Sequence, residues 1–243
     1  MSFLKRYATL FSLLIILGGS LYALYHVWAS RYVPCVTPLH YSLGSFDQRF
    51  GVSTSTFLAD MRQASKIWND ALGKEIFVYD PRGDLPVTLV FDKRQATLVE
   101  ELKIEADIEA KKAQAITLGD EYSALLRQGA PRSELIAKAA DYNNLQIEIN
   151  ADVAKYNHTI ERNEYDVGQY ISSQNRQQIY IYQIRDHDEL VHVLAHEFGH
   201  ALGLEHNSNP ESIMYPIVKN ETLRLSSDDE RALMALCAGN KDM

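Results

Sequence analysis

The sequence predicts a mixed α/β domain interrupted by a long antiparallel helical hairpin, and three observations carry that prediction. Between Leu39 and Asp92 short apolar runs flank one amphipathic helical pattern, the strand-helix-strand order that favours a mixed sheet. From about Arg94 to Asp166 the composition shifts to Ala, Glu, Lys, Leu and Gln with apolar residues three and four apart, a helical period. After Val167 two alternating segments precede a strongly apolar helix, which supplies further strands and a buried partner for them. The 243 residues are 46% hydrophobic, enough to build a core. The net charge of −8, from 24 basic against 32 acidic residues, argues against a nucleic-acid partner, which calls for a basic surface. Two cysteines, Cys35 and Cys237, are too few for a cysteine-rich zinc module or a disulfide-dense miniprotein.

Residues 1–30 stand apart from the fold. Lys5 and Arg6 precede an uncharged stretch from Tyr7 to Ser30, which as a helix covers about 36 Å, enough for a ~30 Å hydrocarbon layer. Tyr22, Tyr25 and Trp28 have the character of an interfacial aromatic belt. Two readings stay open: an uncleaved transmembrane signal-anchor that ties the chain to the membrane, or a signal peptide cleaved after Val27-Trp28-Ala29. Both put residues 31–243 outside the cytosol, membrane-anchored in the first case and secreted in the second.

The first section then reads as a strand at His40–Leu43, a helix capped by Ser53 or Ser55 and running to Leu72, and a strand at Ile76–Tyr79. Gly73 ends the helix, and Phe57, Leu58, Met61, Ala64, Ile67 and Trp68 form its apolar face. Asp80-Pro81-Arg82-Gly83-Asp84 is turn chemistry before a strand at Pro86–Phe91.

The insertion, residues 94–166, reads as two helices of about 30 residues joined at Arg127–Ser133, an arm about 45 Å long. Leu135, Ala139, Tyr142, Leu145, Ile149, Val153, Tyr156 and Ile160 mark the seam of its second helix. Leu98, Leu102, Leu118, Tyr122 and Leu125 mark a weaker one on the first. The arm is either a docking element for a protein partner or substrate, or a solvated spacer. Val167–Ser172 and Gln178–Ile184 then form a hairpin about Asn175-Arg176, and Asp186 or Asp188 caps the apolar helix that follows.

That helix carries His196-Glu197-Phe198-Gly199-His200, continued by Ala201-Leu202-Gly203-Leu204-Glu205-His206. Two imidazoles four residues apart share a helix face and can grip one metal ion. A third ligand six residues later cannot reach that ion from a continuing helix, so the helix has to stop. Gly203 provides the stop by taking a left-handed conformation, and His206 folds back. Three protein ligands with one position left open are the catalytic zinc arrangement, whereas structural sites close with four. Glu197 stands beside the first ligand, placed to act as base on a zinc-activated water in amide hydrolysis.

A bare His-Glu-x-x-His is a weak signal, but the extension through Gly203 and His206 and the later Ser212-Ile213-Met214-Tyr215-Pro216 sharpen it. Together these motifs resemble the metzincin zinc proteases. The Ser-Ile-Met-Tyr-Pro form, the Trp68 helix and Leu225-Ser226-Ser227-Asp228-Asp229 ahead of a last helix resemble the matrixin branch. The resemblance covers residues 39–92 weakly and 167–237 strongly. It implies a twisted five-stranded sheet over an active-site helix, a Met-turn and a C-terminal helix, with one catalytic Zn2+. It implies that His196, His200 and His206 bind the zinc and that Glu197 is base and then acid. Met214 would floor the site, and peptide or protein substrates would lie along an edge strand at Tyr170–Ser172. The sequence has no matrixin-type cysteine prodomain peptide, hemopexin-like tail or histidine-rich structural zinc loop, so latency, calcium dependence and specificity do not carry over.

The remaining candidates have plainer readings. His192 is expected on the surface or beside the ligands, since three ligands are already supplied, and His40, His158 and His187 as ordinary histidines. Tyr215 is read as a packing residue of its turn, against a role in binding an oxyanion. Cys35 is expected in a disulfide with Cys237, given an exported location and an even count; the alternative is a thiolate that closes the open zinc position. The functional expectation is a zinc metalloendopeptidase. The alternatives are a catalytically silent, membrane-tethered zinc protein that works through its arm, and a metal-dependent hydrolase of other substrates.

Overall fold

The computed structural model describes residues 34–160, 166–173, 176–217 and 223–239. The candidate membrane span at residues 1–30 lies outside them, and among the described residues no helix is long and apolar enough to cross a membrane. Five strands form one sheet: β1 (Leu39–Phe46), β2 (Phe77–Tyr79), β3 (Leu85–Leu89), β4 (Gly168–Ser173) and β5 (Arg176–Ile181), in the order β2-β1-β3-β5-β4. The first four of these neighbours run parallel, and β4 joins antiparallel to β5 at the edge. The expected mixed five-stranded α/β architecture is present.

Local chemistry explains the elements. In α1 (Thr54–Leu72) the Ser53 hydroxyl accepts the Thr56 amide at 3.1 Å, and Gly73 closes the helix at φ 61°, a conformation in which a β-carbon is penalised. Its buried face is Phe57, Met61, Ala64 and Trp68. The Asn69 side chain accepts the amides of Ile76 and Phe77 at 2.8 and 2.9 Å and donates to the Phe77 carbonyl, which turns the chain from α1 into β2. Asp186 caps α4 (His187–Leu202) by accepting the Glu189 amide at 2.9 Å. The helices α1 and α4 share one core with Tyr41, Val87, Ile179 and Ile181 of the sheet, where Phe198 sits 4.7 Å from Phe77 and 5.1 Å from Tyr41 between ring centroids.

The last helix, α5 (Ser227–Gly239), is joined by a Cys35–Cys237 disulfide to the segment ahead of β1, across 202 residues of sequence. In the chain-entropy model a loop of this length disfavours the unfolded state by about 5 kcal/mol.

Between β3 and β4 stand α2 (Lys93–Arg127) and α3 (Arg132–Ile160), packed on each other. The seam keeps Leu145, Ile149 and Leu118 of the one the sequence suggests and differs in the rest. Ala115, Leu145 and Ile149 form its small core, and Leu98, Ile104 and Ile108 of α2 are also buried, whereas Tyr142 and Val153 are 38% and 36% exposed. Two helices alone cover only a narrow strip of each other, so apolar residues flanking the strip stay in solvent. Ion pairs Lys111–Asp152, Lys138–Glu121 and Lys155–Glu100 bracket the strip at 2.7–2.8 Å.

The base of the arm is tied to the segment that follows β5. The Gln95 amide donates to the Ile184 carbonyl at 3.1 Å and accepts the Ile184 amide at 2.8 Å, copying one rung of a strand ladder. Arg94 lies over the Tyr182 ring, and Gln183 donates to the Arg94 carbonyl.

Candidate active site

Two turns of α4 and one glycine bring three imidazoles together. Gly203 has φ 102°, and its amide bonds back to the His200 carbonyl, which ends the helix and returns the chain toward it. The Nε2 atoms of His196, His200 and His206 form a triangle with sides of 3.1, 3.1 and 3.2 Å. Among the described residues these three are the cluster able to hold a metal ion. The Nδ1 of His196 is 2.6 Å from the Ile213 carbonyl and that of His200 2.9 Å from the Leu204 carbonyl. A carbonyl only accepts, so both rings carry their proton on Nδ1 and turn bare Nε2 lone pairs inward. At the His196 and His200 corners of the triangle lone pairs therefore face one another, 3.1 Å apart, an arrangement that favours a cation among them.

The donor set fits zinc. Tetrahedral bonds of 2.0–2.1 Å place nitrogen ligands roughly 3.3–3.4 Å apart, close to the sides of the triangle. Burial drives the His196 pKa down to about 4, opposed by the Ile213 carbonyl and assisted by the neighbouring histidines, so the ring is neutral and able to ligate at neutral pH.

Beneath the ligands, Met214 is fully buried. A β-carbon at Gly199 would lie 2.3 Å from the Met214 sulfur and 2.9 Å from the Trp68 ring, so only glycine lets this part of α4 rest on the methionine. The turn is held by Asp229 of α5. Its carboxylate accepts the Ser212 hydroxyl, the Ile213 amide at 3.0 Å, the Ser226 amide at 2.9 Å and the Ser226 hydroxyl at 2.8 Å. Burial raises its pKa, but these bonds together outweigh burial and leave it below the ordinary value. The Ser226-x-x-Asp229 spacing is that of a capping box, and that signal could have singled out Asp229 in the sequence.

Glu197 is 4% exposed, and among the described residues its Oε2 has no hydrogen-bond partner. Burial raises its pKa to about 8, opposed by the Tyr170 backbone amide and helped by the charge of Asp166. Gly168 makes room for it, since a β-carbon there would fall 2.7 Å from Glu197 Oε1. Glu197 and the three histidines face a cleft of about 920 Å³, bounded by Gly168–Tyr170 of β4 and by Pro216 and Ile217.

A family model described as Peptidase M10, matrixin, matches residues 38–238. The chain belongs to the matrixin family. As a matrixin it is expected to carry zinc, and the three-histidine cluster has the donors for it. Macrophage metalloelastase of Rattus norvegicus is 49% identical over 47 residues, 18% of this matrixin and 10% of the relative. Matrix metalloproteinase-9 of Canis lupus familiaris is 53% identical over 45 residues, 18% of this chain and 6% of the relative. A probable matrix metalloproteinase, 095L, of Invertebrate iridescent virus 3 is 45% identical over 58 residues, 23% and 16%. The similar stretches thus span a sixth or less of these relatives' lengths.

The other sequence candidates fall elsewhere. His192 is buried beside His196 and not on the surface, because α4 is covered on nearly every face. His187 pairs with the buried Asp60 at 2.9 Å, His40 lies 3.9 Å from Asp80, and His158 is exposed on the arm. Cys35 is bonded to Cys237 and is no free thiolate. Sequence reasoning missed the cleft residues Leu98, Glu101, Arg185 and Glu189, of which two come from the arm.

Proposed function

We propose that this matrixin is a zinc-dependent metalloendopeptidase. The observation that carries the reading is Glu197, a buried carboxylate with one oxygen unpartnered among the described residues, in the same cleft as three converging imidazoles. His196, His200 and His206 would hold the ion through Nε2. Zinc when bound supplies a Lewis acid that polarises a peptide carbonyl and acidifies water near neutral pH. Glu197 takes the proton of the attacking water and delivers it to the leaving amine. Edge strand β4, paired on one side only among the described residues, offers its backbone groups to an extended peptide by strand addition. Met214 and Gly199 fix the level of α4 under the reacting groups, and Gly203 brings His206 home. The catalytic unit is residues 31–243, interrupted by the arm at 94–166. Residues 1–30 would anchor it to a membrane, and the arm's far end would serve as an interaction surface. A silent zinc protein has no use for a base at position 197.

Digestion of a peptide library by the zinc-loaded chain, with and without chelator, tests the reading. Cleavage should be lost on chelation and in Glu197→Gln, while that variant still binds about one equivalent of zinc. Metal loss in Glu197→Gln, or chelator-resistant cleavage, would overturn the assignment.

A further inference from the structure

We propose that the inserted arm holds one wall of the substrate cleft in place, and that Gln95 is its positioning residue. The inference rests on the proteolytic reading and adds a part of the substrate-binding site to it. The wall is the stretch between β5 and α4, where Gln183 and Arg185 line the cleft that contains His196 and Glu197.

Past Ile181 this stretch belongs to no strand, and Asp186 then caps α4. The arm ties it at three successive residues. The Gln183 side chain donates to the Arg94 carbonyl at 3.2 Å. The Gln95 side chain accepts the Ile184 amide at 2.8 Å and donates to the Ile184 carbonyl at 3.1 Å. Arg185 pairs with Glu105 at 3.3 Å. The three ties differ in weight. The Arg185–Glu105 pair is exposed, and exposed pairs hold little. Gln95 and Ile184 are 4% and 8% exposed, so without the glutamine a buried N–H and a buried C=O lose their partners together. A carboxamide offers a donor and an acceptor side by side, as a peptide unit does, and a leucine of similar size offers neither. Ile184 lies between the two cleft-lining residues, so fixing its peptide groups fixes the wall on both sides of it. Gln95 itself touches no reacting group. Its loss weakens contacts with the outer part of a bound peptide equally in the ground state and the transition state, which raises KM and leaves kcat.

The test compares a short peptide, about two residues on each side of the scissile bond, with a long one of about six, which reaches roughly 20 Å to each side. Binding is measured with zinc-loaded, full-length Glu197→Gln protein as the parent, and kcat and KM without that substitution. Gln95→Leu should bind the long peptide about tenfold more weakly, keep the short-peptide affinity and zinc stoichiometry, and raise KM with kcat unchanged. Gln95→Glu reports even where Gln95→Leu misfolds. Its protonated carboxyl donates and accepts as the carboxamide does, whereas the ionised form only accepts. Its long-peptide affinity should match the parent at about pH 5.5 and fall about tenfold below it by about pH 8, since a buried carboxyl titrates above its ordinary ~4.3. Gln114→Glu, exposed farther along α2, should follow the parent throughout. Equal weakening of both peptides, no weakening of either, or a Gln95→Glu affinity that does not recover in acid overturns the assignment. Cleavage with binding untouched by the Gln95 substitutions defeats this proposal alone. Length-dependent loss of binding with no cleavage of any peptide supports it and defeats the proteolytic reading, and absence of both defeats both.

Discussion

The indole Nε1 of Trp68 donates a 2.8 Å hydrogen bond to the carbonyl of Ala195, the residue before the first zinc-ligand candidate. The bond crosses from α1 to α4 between fully buried partners. A carbonyl inside a helix has a second lone pair free for such a donor. The indole reaches it because Gly199, one turn later, has no side chain in the way. Packing under the sheet and the height of the imidazoles are thus set by the same contact.

Trp68→Phe should lower stability by about 1–3 kcal/mol, from a lost buried hydrogen bond and a shorter ring. Urea denaturation measures it. A change within the error of wild type would show that the bond does not hold α4 in place.

Gly199→Ala is expected to run against the usual helix rule. In an open helix interior alanine is better than glycine by about 1 kcal/mol. Here the new methyl meets Met214 and Trp68, so overpacking should cost about 1–3 kcal/mol. Zinc titration of the variant should also show weaker binding, and a stabilised variant with normal affinity would refute the close approach.

His206→Ala removes one corner, and so two sides, of the imidazole triangle. Zinc affinity and peptide cleavage should fall together, with the fold kept, since His206 is exposed. A fully active variant would take His206 out of the site.

Asp229 gives the protein an acid-sensitive joint. Its folded pKa lies below the ordinary value because hydrogen bonds to the Met-turn and to Ser226 outweigh burial. The stabilisation is therefore complete above the unfolded pKa of about 3.9 and is lost as pH falls through the lower folded value. Asp229→Asn should be less stable than wild type at neutral pH by about 1–3 kcal/mol, and the gap should narrow below pH of about 4. Denaturation curves at several pH values check the sign, and a gap that widens in acid would reverse it.

The arm should divide into two parts by function. Replacing residues 110–148 with a short Gly/Ser linker should leave a zinc-binding domain that cleaves small peptides, since loop closure entropy grows slowly with length. Replacing 95–165 also removes the Gln95 bonds to Ile184 and the Leu98–Glu101 wall, and should lower thermal stability and peptide affinity. Equal behaviour of the two proteins would make the base of α2 dispensable.

Much of the fold was legible in the sequence because its signals are local. Ser53 and Gly73 bracket α1, Asp186 and Gly203 bracket α4, and the three histidines meet within eleven residues of chain. Tertiary relationships were not legible. Nothing local says that Ile104 and Ile108 are buried while Leu102 is only half-buried, since both sets fit a helical period. Nor does the composition of the arm reveal that Glu101 turns toward a cleft while Glu109 stays in solvent. Asp229 is legible as a capping-box residue after Ser226, but its bonds to the Met-turn are not legible until that turn is folded against it.

The Cys35–Cys237 bond encloses nearly everything described, including the exposed Arg127–Arg132 bend at the tip of the arm. A backbone cut at that bend, by another protease or by a second copy of this chain, releases no fragment. The halves stay covalently one molecule, held also by the sheet they share, and they part only after reduction and denaturation. A clipped form therefore migrates without reductant as a single species, and a preparation that looks intact under those conditions can already be nicked.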